Sequence, residues 1–239
     1  MPKANEHVVV IGGTSGIGLP LARAAHALGC NLTIAGRGAE RAAEIAKSIG
    51  PRVGGRHLDL EDTESIRAAL AEGPAIDHLV LVPIYSLASS VKKFDVAQAN
   101  RLLHIKLTGY IEAVHAALPR LQPTSSIVLF GGLAKARPYP SSTMITVANA
   151  GVVGVMRTLA VELAPIRVNS VSPGLVGDSP KWDDIVKKGA NPIVNAMAAR
   201  TPTRRLATMA DVIHAVFFLL DNPSVNGHDV AVDGGAQLV

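Results

Sequence analysis

Between a β-branched run and a helical pattern near the amino end lie Gly12, Gly13, Thr14, Ser15, Gly16, Ile17 and Gly18. Their spacing predicts a phosphate-binding loop. Gly12 allows a tight turn, Gly16 lets backbone approach a pyrophosphate, and Gly18 lets the following helix pack closely on the strand. The helix amino terminus adds unpaired N–H groups and the positive end of a dipole. The next strand ends in "TIAGRGAER", with Gly36 and Arg37 where an NAD site would carry an acid, and Arg41 one helical turn on. A guanidinium fork matches a 2′-phosphate in shape and charge, so the expected cofactor is NADP(H). The competing reading makes Arg37 a solvated turn residue.

These residues need a scaffold, and the chain supplies a regular one. The runs "HVVVI", "NLTIA", "GGRHLDL", "DHLVLV", "SIVLF", "IRVNSV" and "DVAVD" alternate with longer helical patterns. About seven strands with helices between them predict an α/β Rossmann fold, a doubly wound parallel sheet covered on both faces. No composition break divides residues 1–239, so one domain is expected. The least patterned stretch, 174–203, follows a strand end and is read as a substrate lid, with a short helix around Trp182 to Lys188; the alternative is a plain surface loop.

Composition narrows the function. Of 239 residues, 48% are hydrophobic but only 3% aromatic, which suits close-packed aliphatic strands buried on both sides. The single cysteine, Cys30, cannot form an intramolecular disulfide and reads as a small core residue. Basic residues number 23 against 19 acidic, in scattered pairs without interleaved aromatics. That pattern points away from nucleic acid and suits an anionic small molecule. No apolar run approaching the roughly 18 residues of a membrane span is expected, nor a signal peptide, and the cytoplasm is the expected compartment. No metal site is expected.

The chain resembles the short-chain dehydrogenase/reductase family over essentially its whole length. The matching pieces are "GGTSGIG", "HLDLED", "LAVELAPIRVNSVSPGLV" and the closing "VAVDGG". The resemblance implies a seven-stranded Rossmann sheet and a homodimer or homotetramer. It places Asp59 and Leu60 beside the adenine, and Pro173, Gly174 and Val176 beside the nicotinamide. The family's chemistry uses an Asn, a Ser, a Tyr and a Lys four residues after the Tyr. Here the Ser position is Gly132, the Tyr position Ile145, the Lys position Asn149 and the Asn position Lys106. Isoleucine cannot donate a proton, so the family's usual mechanism is not expected.

What remains offers a different constellation. Lysine and asparagine have exchanged places, and the Lys106 ammonium either reaches the cavity from the neighbouring helix or is carried to solvent on its flexible stem. Arg137, in "KARPYPSS", and Asp178, in the lid, either face the substrate or form a surface pair. Tyr139 and His104 are weaker donors. The leading functional reading is an NADP(H)-dependent oxidoreductase with an atypical site, acting on an imine, iminium or other activated small molecule. The alternatives are a non-redox, cyclase-type enzyme and a catalytically silent nucleotide-binding subunit.

Overall fold

The computed structural model describes residues 1–180 and 192–239, and in it the β-branched runs become seven strands. They are β1 (His7–Ile11), β2 (Asn31–Gly36), β3 (Val53–His57), β4 (Ile76–Leu81), β5 (Leu121–Phe130), β6 (Arg167–Pro173) and β7 (Asp229–Val232). All pair in parallel, in the order β3-β2-β1-β4-β5-β6-β7. Parallel neighbours cannot be joined by hairpins, so helices carry the chain back between them.

Those helices are α1 (Gly18–Ala27), α2 (Ala39–Ile49), α3 (Thr63–Leu70), α4 (Val96–Leu103), α5 (Gly109–Ala117), α6 (Thr143–Glu162), α7 (Pro192–Arg200) and α8 (Met209–Asp221). Local chemistry sets several of their starts. Asp62 and Asp95 accept backbone N–H bonds at the starts of α3 and α4, and Thr208 with Asp211 forms a reciprocal capping box on α8. Alternation along β1 feeds two cores. Val9 and Ile11 face the α3, α5 and α6 side, while Val8 and Val10 face the α1 and α8 side.

The structure bears on two sequence expectations. Helix α6 has 20 residues and contains an 18-residue window of mean hydropathy 1.6, enough by length and composition to cross a membrane. Its Ala148, Val152, Met156 and Ala160, spaced four apart, are nevertheless buried against the rest of the protein, which is the pattern of a core helix. The stretch read as a lid carries local structure among its described residues. Val176 bridges to Ala207, and α7 occupies 192–200. The short helix expected around Trp182 to Lys188 lies outside the described residues.

Candidate functional site

The strand order reverses direction between β1 and β4, and a ligand crevice forms outside the carboxyl ends of strands at such a point. The phosphate loop sits there. Gly12 has φ of +83°, and its N–H donates to the Ala35 carbonyl at 2.8 Å, closing the turn across β2. A Cβ on Gly18 would collide with the Gly12 carbonyl oxygen, so α1 can begin this close to β1 only with glycine. At Gly16, with φ of +52°, a Cβ would meet nothing within 4 Å. This glycine faces the open space that a pyrophosphate needs.

The ribose end of the crevice lies at the close of β2. A Cβ on Gly36 would come within 2.5 Å of the Thr14 hydroxyl oxygen, so glycine there lets the loop rest against the strand. Thr14 is 8% exposed, Ser15 is exposed and Ile17 half-buried. Arg41 donates to the Thr14 carbonyl at 3.4 Å, leaving Arg37 exposed at the rim. Asp59 and buried Leu60 follow β3; the Asp59 Oδ1 accepts from the Glu61 N–H at 3.1 Å. Pro173 ends β6, Gly174 packs on Asp233 and Val176 is buried. The residues present fit a dinucleotide laid across the sheet edge.

Lys106 does not snorkel to solvent. It is 1% exposed and lies in a π-helical turn, His104–Thr108, between α4 and α5. Such a turn re-aims a side chain that a regular helix would place elsewhere. The ammonium donates to the Pro83 carbonyl and to the Tyr110 hydroxyl, each at 3.2 Å, and stands 5.1 Å from the centre of the Tyr110 ring. Tyr110 in turn donates to the same carbonyl at 2.8 Å. The Pro83 ring packs against Gly12, 3.1 Å from where its Cβ would be, so this cluster lies beneath the phosphate loop. No carboxylate pairs with Lys106 among the described residues, and burial lowers its pKa from 10.5 to about 7. Burial pushes the Tyr110 phenol well above 10, so it stays protonated.

Across the crevice, Asn149 is 3% exposed and its side-chain amide has no hydrogen-bond partner among the described residues. A Cβ on Gly132 would lie 2.7 Å from its Nδ2 and 3.3 Å from its Oδ1. Ile145 packs with Tyr85 and Leu87 against Ala99, Leu102, Met144 and Ala148. Arg137 and Asp178 do not pair with each other. Arg137 donates to the Ala236 carbonyl at 2.6 Å, and Asp178 accepts from the Met209 N–H at 2.8 Å, so both fasten backbone around the site. Tyr139 is exposed, and the His104 ring bonds the Thr108 hydroxyl.

Comparison with known proteins gives a family. A family model described as Enoyl-(Acyl carrier protein) reductase matches residues 12–237. The 2-(S)-hydroxypropyl-CoM dehydrogenase 3 of Xanthobacter autotrophicus is 31% identical, with 98% of each chain covered. A solved short chain dehydrogenase/reductase family protein matches all of both chains at TM-score 0.87 and 32% identity. The chain belongs to the short-chain dehydrogenase/reductase family. A solved small-chain dehydrogenase in complex with NADPH has TM-score 0.81 and 27% identity, over 98% of this chain and 100% of that one.

For this short-chain dehydrogenase/reductase, family membership supports binding of a nicotinamide cofactor. Two contributors escaped the sequence reading. The first is Tyr110, which the spacing Lys106-x-x-x-Tyr110 could have disclosed, because residues four apart share a helix face. The second is a polar group under Gly131. Asp229 accepts from Lys135 at 2.8 Å and from the Ser170 and Ser172 hydroxyls at 2.6 and 2.8 Å. A Cβ on Gly131 would come within 2.6 Å of the Ser172 hydroxyl oxygen, so this group supports the floor beside Gly132. Nothing local in the sequence joins Lys135 to Asp229.

Proposed function

We propose that the chain is an NADP(H)-dependent oxidoreductase whose proton is held by Lys106, acting on a small electrophile with a C=N bond or an activated C=C bond. The family's tyrosine and serine positions are Ile145 and Gly132, so a substrate already electrophilic suits the site better than a simple ketone. When bound, the nicotinamide supplies the hydride. The protein must then supply one proton. Lys106 at a pKa of about 7 carries that proton and releases it near neutral pH.

The observation that carries this reading is the solitary buried ammonium. An unpaired charge in a protein interior costs stability, and among the described residues no carboxylate offsets this one. Chains retain such groups where chemistry uses them. Cofactor choice rests on Arg37, exposed after β2, and on Arg41, which donates to the Thr14 carbonyl.

Calorimetry with NADPH and NADH tests the cofactor. NADPH binds more tightly, and Arg37→Ala weakens it by about 1.5–3 kcal/mol through loss of a charged hydrogen bond. Equal affinity for the two dinucleotides overturns the assignment. Turnover is then followed with NADPH on 3,4-dihydroisoquinoline, an α,β-unsaturated aldehyde and acetophenone. The first two react and Lys106→Met suppresses them, whereas acetophenone is reduced far below the usual enzyme rate of about 10 per second. Unimpaired turnover in Lys106→Met removes lysine from the chemistry.

A further inference from the structure

In the crevice, the Asn149 amide is a primary amide with two donors and an acceptor, 3% exposed and without a hydrogen-bond partner among the described residues. With no such partner, the amide leaves its donors and acceptor free for water or for a ligand that displaces it. It is not sealed off. Among the described residues, the side-chain polar atom that is both sealed and unpaired is His26 Nδ1, so the Asn149 amide keeps some contact with solvent. Its place is set by Gly132. That residue has extended backbone, φ of 171°, so freedom at φ is not the reason for glycine. The reason is space: a Cβ there would sit 2.7 Å from Nδ2. A serine at 132 would therefore direct its side chain into the volume that the amide fills.

We infer that the Asn149 amide takes over the hydrogen bond to the substrate's reacting heteroatom that a hydroxyl at position 132 would make, and that Gly132 is the space admitting it. The proposal rests on the reading of this crevice as an oxidoreductase site. A lysine at 149 would be long enough to pass Gly132, whereas asparagine stops beside it. The amide also widens the range of ligands. Nδ2 donates to a carbonyl or imine, and Oδ1 accepts from a protonated imine or a lactam N–H. The favoured ligand carries a hydrogen-bond donor or acceptor at the reacting carbon.

δ-Valerolactam is the probe: it presents C=O beside N–H and nicotinamide does not reduce it. Its affinity for the NADPH-saturated protein is measured by calorimetry, beside the affinity of each variant for NADPH alone. Lactam binding by the native protein should weaken about tenfold in Asn149→Ala and in the near-isosteric Asn149→Leu, the loss expected for one good hydrogen bond. NADPH affinity should change less than twofold. Gly132→Ser should weaken lactam binding in the native background by crowding the amide, and restore it in Asn149→Ala, where the hydroxyl has room. A structural role for Asn149 would not produce that reversal. Absence of lactam binding by the NADPH-saturated native protein, or lactam affinity untouched by both Asn149 variants, overturns the proposal. So does a tenfold loss of NADPH affinity in Asn149→Ala with lactam binding preserved, which would assign the amide to the cofactor ribose. Failure of the native protein to bind any nicotinamide dinucleotide would instead overturn the oxidoreductase reading itself.

Discussion

A lysine at pKa of about 7 in a folded protein, against 10.5 when solvated, lowers stability across neutral pH. The folded-state pKa of this base is depressed, so the unfolded chain binds the extra proton between these values. The contribution to stability is therefore present above about pH 10.5, falls as pH drops toward 7 and is flat below. The shift corresponds to roughly 5 kcal/mol at full extent, as an order of magnitude. Lys106→Met removes the charge while keeping the stem's volume, and Tyr110 still satisfies the Pro83 carbonyl at 2.8 Å. The variant should melt higher than the native protein at pH 6.5, by at least about 4 °C for a chain of this size. That gain should shrink steadily toward pH 10. A lower melting temperature at pH 6.5 would show that the ammonium is compensated. Gain of stability with loss of turnover is the signature of a functional group held at a structural cost.

At the scale of elements, the site depends on how closely helices and strands approach each other. Helix α1 starts against β1 only because Gly18 lacks a side chain, and the obstacle to a methyl group is the Gly12 backbone carbonyl, which cannot swing aside. Gly18→Ala should destabilise by about 2 kcal/mol or more and reduce dinucleotide affinity, since the helix amino terminus moves away from the phosphates. A thermal melt and an NADPH titration check both effects; an unchanged melt would mean that the loop relaxes freely. The π-helical turn joins α4 to α5 in the same manner. It lets Leu107 pack on Gly151 of α6, where a Cβ would come within 2.8 Å of its methyl groups, while Lys106 turns inward.

Across the whole molecule, two buried histidines sit at the amino edge of the sheet, away from the crevice. His7 Nδ1–H donates to the Ala75 carbonyl and its Nε2 bonds the Thr33 hydroxyl, both at 2.9 Å. His78 bonds Ser126 at 2.8 Å and Glu6 at 3.0 Å. Burial lowers the pKa of both below 6.5, and for His78 it outweighs the carboxylate that would raise it. The unfolded chain then takes up these protons first as pH falls. Stability from the pair is complete above about pH 6.5 and declines below it toward the folded values. The melting temperature should fall between pH 7.5 and 5.5, and His7→Gln should flatten part of the slope. A flat native profile over that range would refute the assignment.

The sheet was legible because parallel strands buried on both faces must be aliphatic runs, and the helices between them must repeat near every fourth residue. The phosphate loop was legible because backbone geometry demands glycine at fixed offsets, so Gly12, Gly16 and Gly18 carry their reason locally. Family resemblance pointed to positions 106, 132, 145 and 149 but not to what their side chains do. Whether Lys106 met solvent or the interior depended on a turn that re-aims it and on the Pro83 carbonyl, 23 residues away in sequence. Asn149 meets Gly132 across a separation of 17 residues, and Lys135 meets Asp229 from the far end of the chain. Periodicity and turn chemistry act over a few residues, so they determine elements. The direction of a long side chain, its burial and hence its proton affinity arise only where distant elements pack, and tertiary structure alone decided them.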